Sequence, residues 1–367
     1  MRAEALVDLS AIKANVKLLK EKAGVDVLAV VKADAYGHGL VPVAKAALDA
    51  GATMLGVALL EEAITLRDAG ITAPILAWLL QPGSDFKSAI DRDIDIAAGS
   101  IAALQEIQAA SVDKKARVHL ELDTGMTRGG FLGEWSQLDA HHVAGLEIVG
   151  LFSHFARADE PEQSQNQEQL EVFDEAIATL SKFGFTNIIR HISNSAATLT
   201  APQARYDMVR VGIAMYGLSP DVTTLGTSRE LGLRPAMQLR AALYLVKDVP
   251  AGTPVGYGAT ELTSRDTRLG VVVCGYADGI PRIARTAGVW INGERAPIIG
   301  KVSMDQFVVD LGPESKADSG DWVVIFGNGS HGEYTADDWG AASSSINYEI
   351  TTRIGPRVPR IYGAHVY

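Results

Sequence analysis

A lysine at the end of a buried strand is placed to do amine chemistry. In the stretch 28–40, LAVVKADAYGHGL, a run of apolar residues leads straight into Lys32, and Tyr36, Gly37, His38 and Gly39 follow. A continuous apolar run with β-branched residues suits a strand covered on both faces, and the glycines permit a tight turn after it. Burial penalises the ammonium form and favours the neutral amine, the form that attacks carbonyls and makes Schiff bases. Taken alone, the segment fits equally well a lysine that snorkels out to water at the strand end.

Other polar residues fall into the same relation to apolar runs. Strands are expected at 28–31, 54–58, 74–78, 94–97, 117–122, 146–152, 188–192 and 208–211, with helical patterns between them at 43–50, 60–69, 101–110 and 163–183. Eight strands alternating with helices suggest a parallel sheet, and eight is the number that closes a (β/α)8 TIM barrel. Active sites of such barrels lie at the C-terminal strand ends. Lys32 follows the first strand, Asp123 to Arg128 the fifth, His154 the sixth, Asn194 and Ser195 the seventh, and Arg210 to Ile213 close the eighth. A doubly wound open sheet would gather ligands at one switch point and would not need chemistry after so many strands.

Past about residue 232 the pattern changes to strand signals separated by turns, at 237–249, 269–275, 289–292, 297–302, 306–311 and 322–326, with one helical pattern at 343–352. Asn292-Gly293 is a strong hairpin signal. The expected domains are therefore 1–231, a barrel carrying the lysine, and 232–367, a mainly-β domain with which roughly the first eight residues are free to pair. A length of 367 residues supports two cores. The net charge of −11 argues against sequence-independent nucleic-acid binding, which neutralises phosphates with Lys and Arg. Cys274 is the only cysteine, which excludes an intramolecular disulfide and a thiolate metal site. No metal is expected. With neither a signal-peptide pattern nor a long apolar run, the chain reads as cytoplasmic, with no membrane partner.

The segments AVVKADAYGHG, DTGMTRGG, HFARADE, NSAAT, MVRVGIAMYG, GYGATE, GYADGIPR, KVSMDQ and INYEI occur in that order along the chain. Together they resemble the alanine racemases, pyridoxal-phosphate enzymes with an N-terminal (β/α)8 barrel and a C-terminal β domain. The resemblance implies interconversion of L- and D-alanine by two bases on opposite faces of Cα, Lys32, which also carries pyridoxal 5'-phosphate as a Schiff base, and Tyr257. A tyrosine of ordinary pKa, near ~10, is a poor base at neutral pH; the resemblance assigns it cationic help from His154 and Arg210. Arg210 is also implied to face the pyridine nitrogen, where a permanent cation disfavours ring protonation and restrains transamination. Tyr36, Ser195, Gly212 and Ile213, with Asn194 nearby, are implied for the cofactor phosphate. Arg128 and the Met304 backbone are implied for the substrate carboxylate, an arginine being suited by its bidentate fork. Asp305 would orient neighbouring tyrosines, and Tyr276 would narrow the pocket. Asp159, Arg282, Lys301 and Ile354 match residues lining the substrate corridor. The family also implies a homodimer whose subunits share the two sites.

Three positions depart from the family pattern. Glu121 stands where many members carry a carbamylated lysine that steadies the arginine matched by Arg128. Alternation with Leu120 and Leu122 turns it to the opposite face of its strand. Ser303 replaces a frequent cysteine, and Pro356 stands where a tyrosine often touches the phosphate and constricts the entry. The last change keeps open a broader racemase acting on serine or other amino acids. A pyridoxal-phosphate decarboxylase shares this architecture, but Arg210 withholds the protonated electron sink that decarboxylation uses.

Overall fold

The computed structural model describes residues 1–363; the end of the expected second domain, 364–367, lies outside the described residues. The first strand, β1 (Ala3–Asp8), precedes a ring of eight parallel strands: β2 (Asp26–Val30), β3 (Met54–Val57), β4 (Ile75–Ala77), β5 (Ile94–Ala98), β6 (Arg117–Glu121), β7 (Glu147–Phe152), β8 (Ile189–His191) and β9 (Met208–Val211). Their spatial order is β8-β7-β6-β5-β4-β3-β2-β9. The seam between β8 and β9 is closed by two backbone bonds, Asp207 N to Arg190 O at 3.1 Å and Arg210 N to Ser193 O at 2.9 Å. Arg190 reinforces it through the Asp207 carboxylate at 2.6 Å. Apolar residues fill these strands because helices cover the ring: Leu28, Leu55, Ile75, Ile96, Val118, Leu151 and Val209 are fully buried. The expected barrel is thus the observed one.

Two compact units are present. The barrel unit holds Ile12–Ala35 and Leu40–Leu233; Met1–Ala11 and Tyr36–Gly39 group instead with the residues from Arg234 onward. The second unit is built on β10 (Met237–Val249), with β11 (Pro254–Val255), β12 (Glu261–Leu262), β13 (Thr267–Val272), β14 (Gly288–Ile291), β15 (Glu294–Pro297), β16 (Phe307–Asp310), β17 (Trp322–Phe326) and β18 (Arg360–Gly363). β1 pairs antiparallel with β10 and parallel with β18. Glu4, buried on β1, is matched by the Arg240 guanidinium of β10. Asn292 and Gly293, with φ of 53° and 91°, form the two-residue turn between β14 and β15.

Two expectations are corrected here. The run 297–302 is not a strand: the tight hairpin pairs Gly288 with Pro297, and Gly300 at φ 80° turns the chain away. The helical pattern at 343–352 starts too early and hides a second helix. Ala336–Ala342 is capped by Thr335 and Asp338, Ser344 breaks it at φ 54°, and Asn347–Thr352 follows. Cys274 is fully buried, and burial pushes its thiol up to about 12. Among the described residues no helix is long and apolar enough to cross a membrane.

Candidate active site

Strand β2 delivers Lys32 to the C-terminal end of the barrel, and the backbone then turns left-handed. Ala33, Asp34, Ala35 and Tyr36 have φ of 54°, 52°, 53° and 53°. For L-residues this handedness costs about 1–2 kcal/mol per residue, so it must be held from outside. Glu62 supplies a clamp: Oε1 accepts from Ala33 N at 2.6 Å, and Oε2 accepts from Ala58 N and Leu59 N at 3.0 Å each. Asp34 Oδ1 accepts from Leu40 N at 2.8 Å. The Lys32 side chain is half-buried, with Nζ 5.8 Å from the centre of the Trp78 ring. Burial, then the nearby Arg128 and Arg210 charges, lower its pKa, with Glu62 opposing them.

Arg210 is buried at the end of β9. Nη1 donates to His191 O and Nη2 to Ser153 O, both at 2.6 Å, and Nη2 reaches Ile192 O at 3.3 Å. The same guanidinium lies 3.1 Å from His154 Nδ1 and 3.3 Å from His191 Nδ1. Burial lowers its pKa to about 10, partly offset by Glu121, so it stays cationic at neutral pH. Because a guanidinium only donates, the facing Nδ1 atoms of both histidines must accept. Burial and the charges of Arg210, Arg128 and Lys32 hold His154 at about 3. His154 is therefore neutral, with its proton on Nε2. The positive charge expected from the pair resides on Arg210, and His154 offers a polarised N–H.

The loop after β6 carries Arg128, which is exposed. Asp123 Oδ1 shapes this loop by accepting from the backbone N–H groups of Gly125, Met126 and Thr127 at 2.9, 3.0 and 3.0 Å. Burial raises the Glu121 carboxyl pKa, against the pull of Arg210 and Arg128. Among the described residues, Glu121 meets Arg128 as a through-space charge, without a hydrogen bond or ion pair. Across β8 and β9, Asn194 Oδ1 caps the helix Ser195–Thr200 through Ala197 N at 3.0 Å. Ser195 Oγ accepts from Gly212 N at 2.9 Å and Ala214 N at 3.3 Å, drawing the loop that contains Ile213 against that helix start.

The remaining expected residues belong to the second unit. Tyr257 is 67% exposed, on a turn between Gly256 and Gly258, whose φ values are 70° and 80°. Tyr276 N donates to Ser303 O at 3.0 Å and Ala277 N to Met304 O at 2.9 Å, so Tyr276 and the exposed Met304 lie on adjoining loops. Asp305 is paired with Arg357 at 2.7 Å, next to Pro356. Tyr36 is buried 6.3 Å from the Tyr348 ring, and burial pushes its phenol above the ordinary range. Of the corridor residues, Arg282 is exposed, Asp159 and Lys301 are half-buried, and Ile354 is buried.

The barrel unit thus brings Lys32, His154, Arg210 and the charges of Arg128 and Glu121 within electrostatic reach of one another. Sequence reasoning passed over Glu62, Trp78 and His191. The legible signal for His191 was a basic residue at the end of an apolar strand, the same signal that singled out Lys32.

The chain is similar to known proteins over nearly its whole length. Residues 7–220 match the family model of the alanine racemase N-terminal domain, and residues 236–362 that of the C-terminal domain. The alanine racemase of Thermobifida fusca is 50% identical, over 98% of each chain. That of Salinispora arenicola is 49% identical over the same shares. The crystal structure of alanine racemase from the D-cycloserine-producing Streptomyces lavendulae superposes with a TM-score of 0.97 at 46% identity, covering 100% of this chain and 98% of the other. That of Streptomyces coelicolor gives 0.95 at 46% identity, covering 99% and 98%.

Proposed function

The chain belongs to the alanine racemase family, and from that premise we propose that it is an isomerase interconverting L- and D-alanine with pyridoxal 5'-phosphate. The observation that carries the reading is the Lys32 amine, half-buried at a barrel strand end beside two arginines that favour its neutral form. The donor set suits this cofactor. Lys32 is an amine able to condense with an aldehyde, and Arg210 is a fixed donor for a heterocyclic nitrogen. Ser195 and the backbone near Gly212 and Ile213 offer a hydroxyl and amides for a phosphate, with Tyr36 and Asn194 as further members.

When bound, the cofactor supplies an electron sink for the pair left at Cα. Lys32 takes or returns the proton on one face of Cα, and Tyr257 serves the other face. Arg210 contributes the cation that favours a tyrosinate. His154, neutral and oriented by Arg210, donates from Nε2 to hold that phenolic oxygen. Arg128 takes the substrate carboxylate through its fork, with the Met304 backbone; Tyr276 narrows the pocket and Asp305, tied to Arg357, orients that loop. The exposure of Tyr257, Tyr276 and Met304 supports a homodimer in which one copy furnishes these groups to its partner's Lys32.

The test is Cα proton exchange of L-alanine in heavy water with chiral analysis, wild type beside Lys32→Ala and Tyr257→Phe. Exchange with racemisation in the wild type, and chiefly one direction of proton removal blocked in each variant, is expected. Inert alanine would overturn the reading. Faster racemisation of serine than of alanine would shift the substrate, the reading that Pro356 favours. Release of CO2 would replace racemisation by decarboxylation.

A further inference from the structure

Beneath Arg210 the barrel unit contains a row of buried polar side chains that the roles above leave unused. His191 Nε2 lies 2.9 Å from His119 Nδ1, the rings meeting edge to face. His119 Nε2 lies 3.4 Å from Asp95 Oδ2, and Asp95 Oδ1 accepts from Arg117 Nε at 2.8 Å. Both histidines are fully buried and Asp95 is 2% exposed. The row runs from the C-terminal end of β9 to the first residue of β6.

Its polarity is forced. Arg210 has no acceptor, so His191 Nδ1 must accept from it and the His191 proton must sit on Nε2. That proton is given to His119 Nδ1, which places the His119 proton on Nε2, facing the Asp95 carboxylate. Both hydrogen bonds therefore point the same way, and beyond them the Asp95 carboxylate, held by Arg117, faces the His119 N–H at 3.4 Å without a hydrogen bond. Burial, with His119 and Arg210 beside it, keeps His191 well below the ordinary histidine range and hence neutral.

The fold makes special room for this row. β6 and β7 shift register between Val118 and His119, so that His119 pairs with Gly150. Phe152 stacks on His191, centroids 5.2 Å apart and planes at 12°. Bulges of this kind re-aim side chains.

We propose that His191, His119 and Asp95 are positioning residues: the hydrogen bond from His191 to His119, with the Asp95 carboxylate facing the far side of His119, fixes the His191 tautomer and so holds the Arg210 guanidinium in place as a donor at the active site. The proposal rests on the role given to Arg210 above. Without the anchor, His191 is free to carry its proton on Nδ1, where it meets the Arg210 donor with another donor and displaces it.

The experiment uses the full chain labelled with 15N-histidine, cofactor-free and loaded with pyridoxal phosphate, comparing wild type with His119→Leu, His119→Asn and Asp95→Asn. In the wild type, His191 is expected to show a protonated Nε2 and a bare Nδ1 in both forms. His119→Leu removes the acceptor and should mix the tautomers, lower kcat about tenfold with KM within about twofold, and raise pyruvate release from side transamination. His119→Asn keeps an acceptor near the Nδ1 position and should recover most of both signals. Asp95→Asn, the mildest change, keeps the chain testable if the leucine variant does not fold, and should also raise pyruvate. A His191 proton on Nδ1 in the wild type would overturn the proposal. So would a folded leucine variant with unchanged tautomer, or one with mixed tautomers but unaltered kcat and pyruvate. A wild type that racemises no amino acid would sink the functional reading, whereas the tautomer of the cofactor-free chain bears on the hydrogen-bond chain alone.

Discussion

Gly150 faces His119 so closely that a Cβ added there would lie 2.1 Å from the imidazole Nδ1. Only glycine lets β7 pass the buried ring. Gly150→Ala should destabilise the protein by about 1–3 kcal/mol, the usual range for overpacking. His119→Ala in the same background should recover part of the loss, because the two residues share the space. Urea denaturation of the four variants of the cycle checks this; strictly additive effects would mean that the ring yields without strain.

His154 ties stability to pH. Its folded pKa is about 3, against 6.5 for an ordinary histidine. Above 6.5 neither state binds the proton, so the residue adds no slope. As pH falls from 6.5 toward 3, the unfolded chain takes up a proton that the native chain refuses, and stability falls by up to a few kcal/mol. His191 acts in the same direction. His154→Gln should flatten the decline between pH 6.5 and the carboxylate range, measured as denaturation midpoints against pH; an unchanged slope would refute the assignment.

Activity should not depend on bicarbonate. Glu121 already carries a carboxyl group at the position where the family often builds one from lysine and CO2. Rates in degassed and bicarbonate-supplemented buffer should coincide for the wild type, while Glu121→Lys should become bicarbonate-dependent. A wild-type loss on removing CO2 would show that some other group is being modified.

Glu62 holds the turn that follows Lys32. Glu62→Ala removes the acceptor of the Ala33, Ala58 and Leu59 N–H groups, which are exposed or half-buried and turn to water, and frees a strained turn to relax. Formation of the Schiff base between Lys32 and added pyridoxal phosphate, followed by absorbance, should slow about tenfold, a rise of about 1.4 kcal/mol in the barrier. An unaltered rate would mean that the turn is kept by its other contacts.

The barrel was legible because its strands are short apolar runs, and five of them end on residues whose chemistry interrupts the run, as Val31-Lys32 and Ser153-His154 do. The hairpin at Asn292-Gly293 was legible because its turn chemistry is local. The pairing of the first residues with the second unit was expected, but not the burial of the charges on β1: Glu4 is met by Arg240, far along the chain, and Asp8 by the N–H groups of Ser10 and Ala11 that start the next helix. The left-handed turn was invisible for a related reason. Nothing in Ala33-Asp34-Ala35-Tyr36 favours it, and the Glu62 carboxylate that secures it comes from a different βα unit. Of the site, residue types and strand ends could be read directly, but the neutrality of His154 follows from burial and surrounding charge, which a single sequence does not display. His119 was within reach, since Arg117, His119 and Glu121 alternate with Val118 and Leu120.

The buried Cys274 gives the molecule a built-in clock. With its sulfur enclosed and its thiol pushed up to about 12, the native chain presents no thiolate to an alkylating reagent. Ser303 removes the other position where a thiol is common. Labelling by such a reagent therefore counts openings of the sheet unit, one event per chain, and its rate reads how often that unit lets go while the enzyme is otherwise at work.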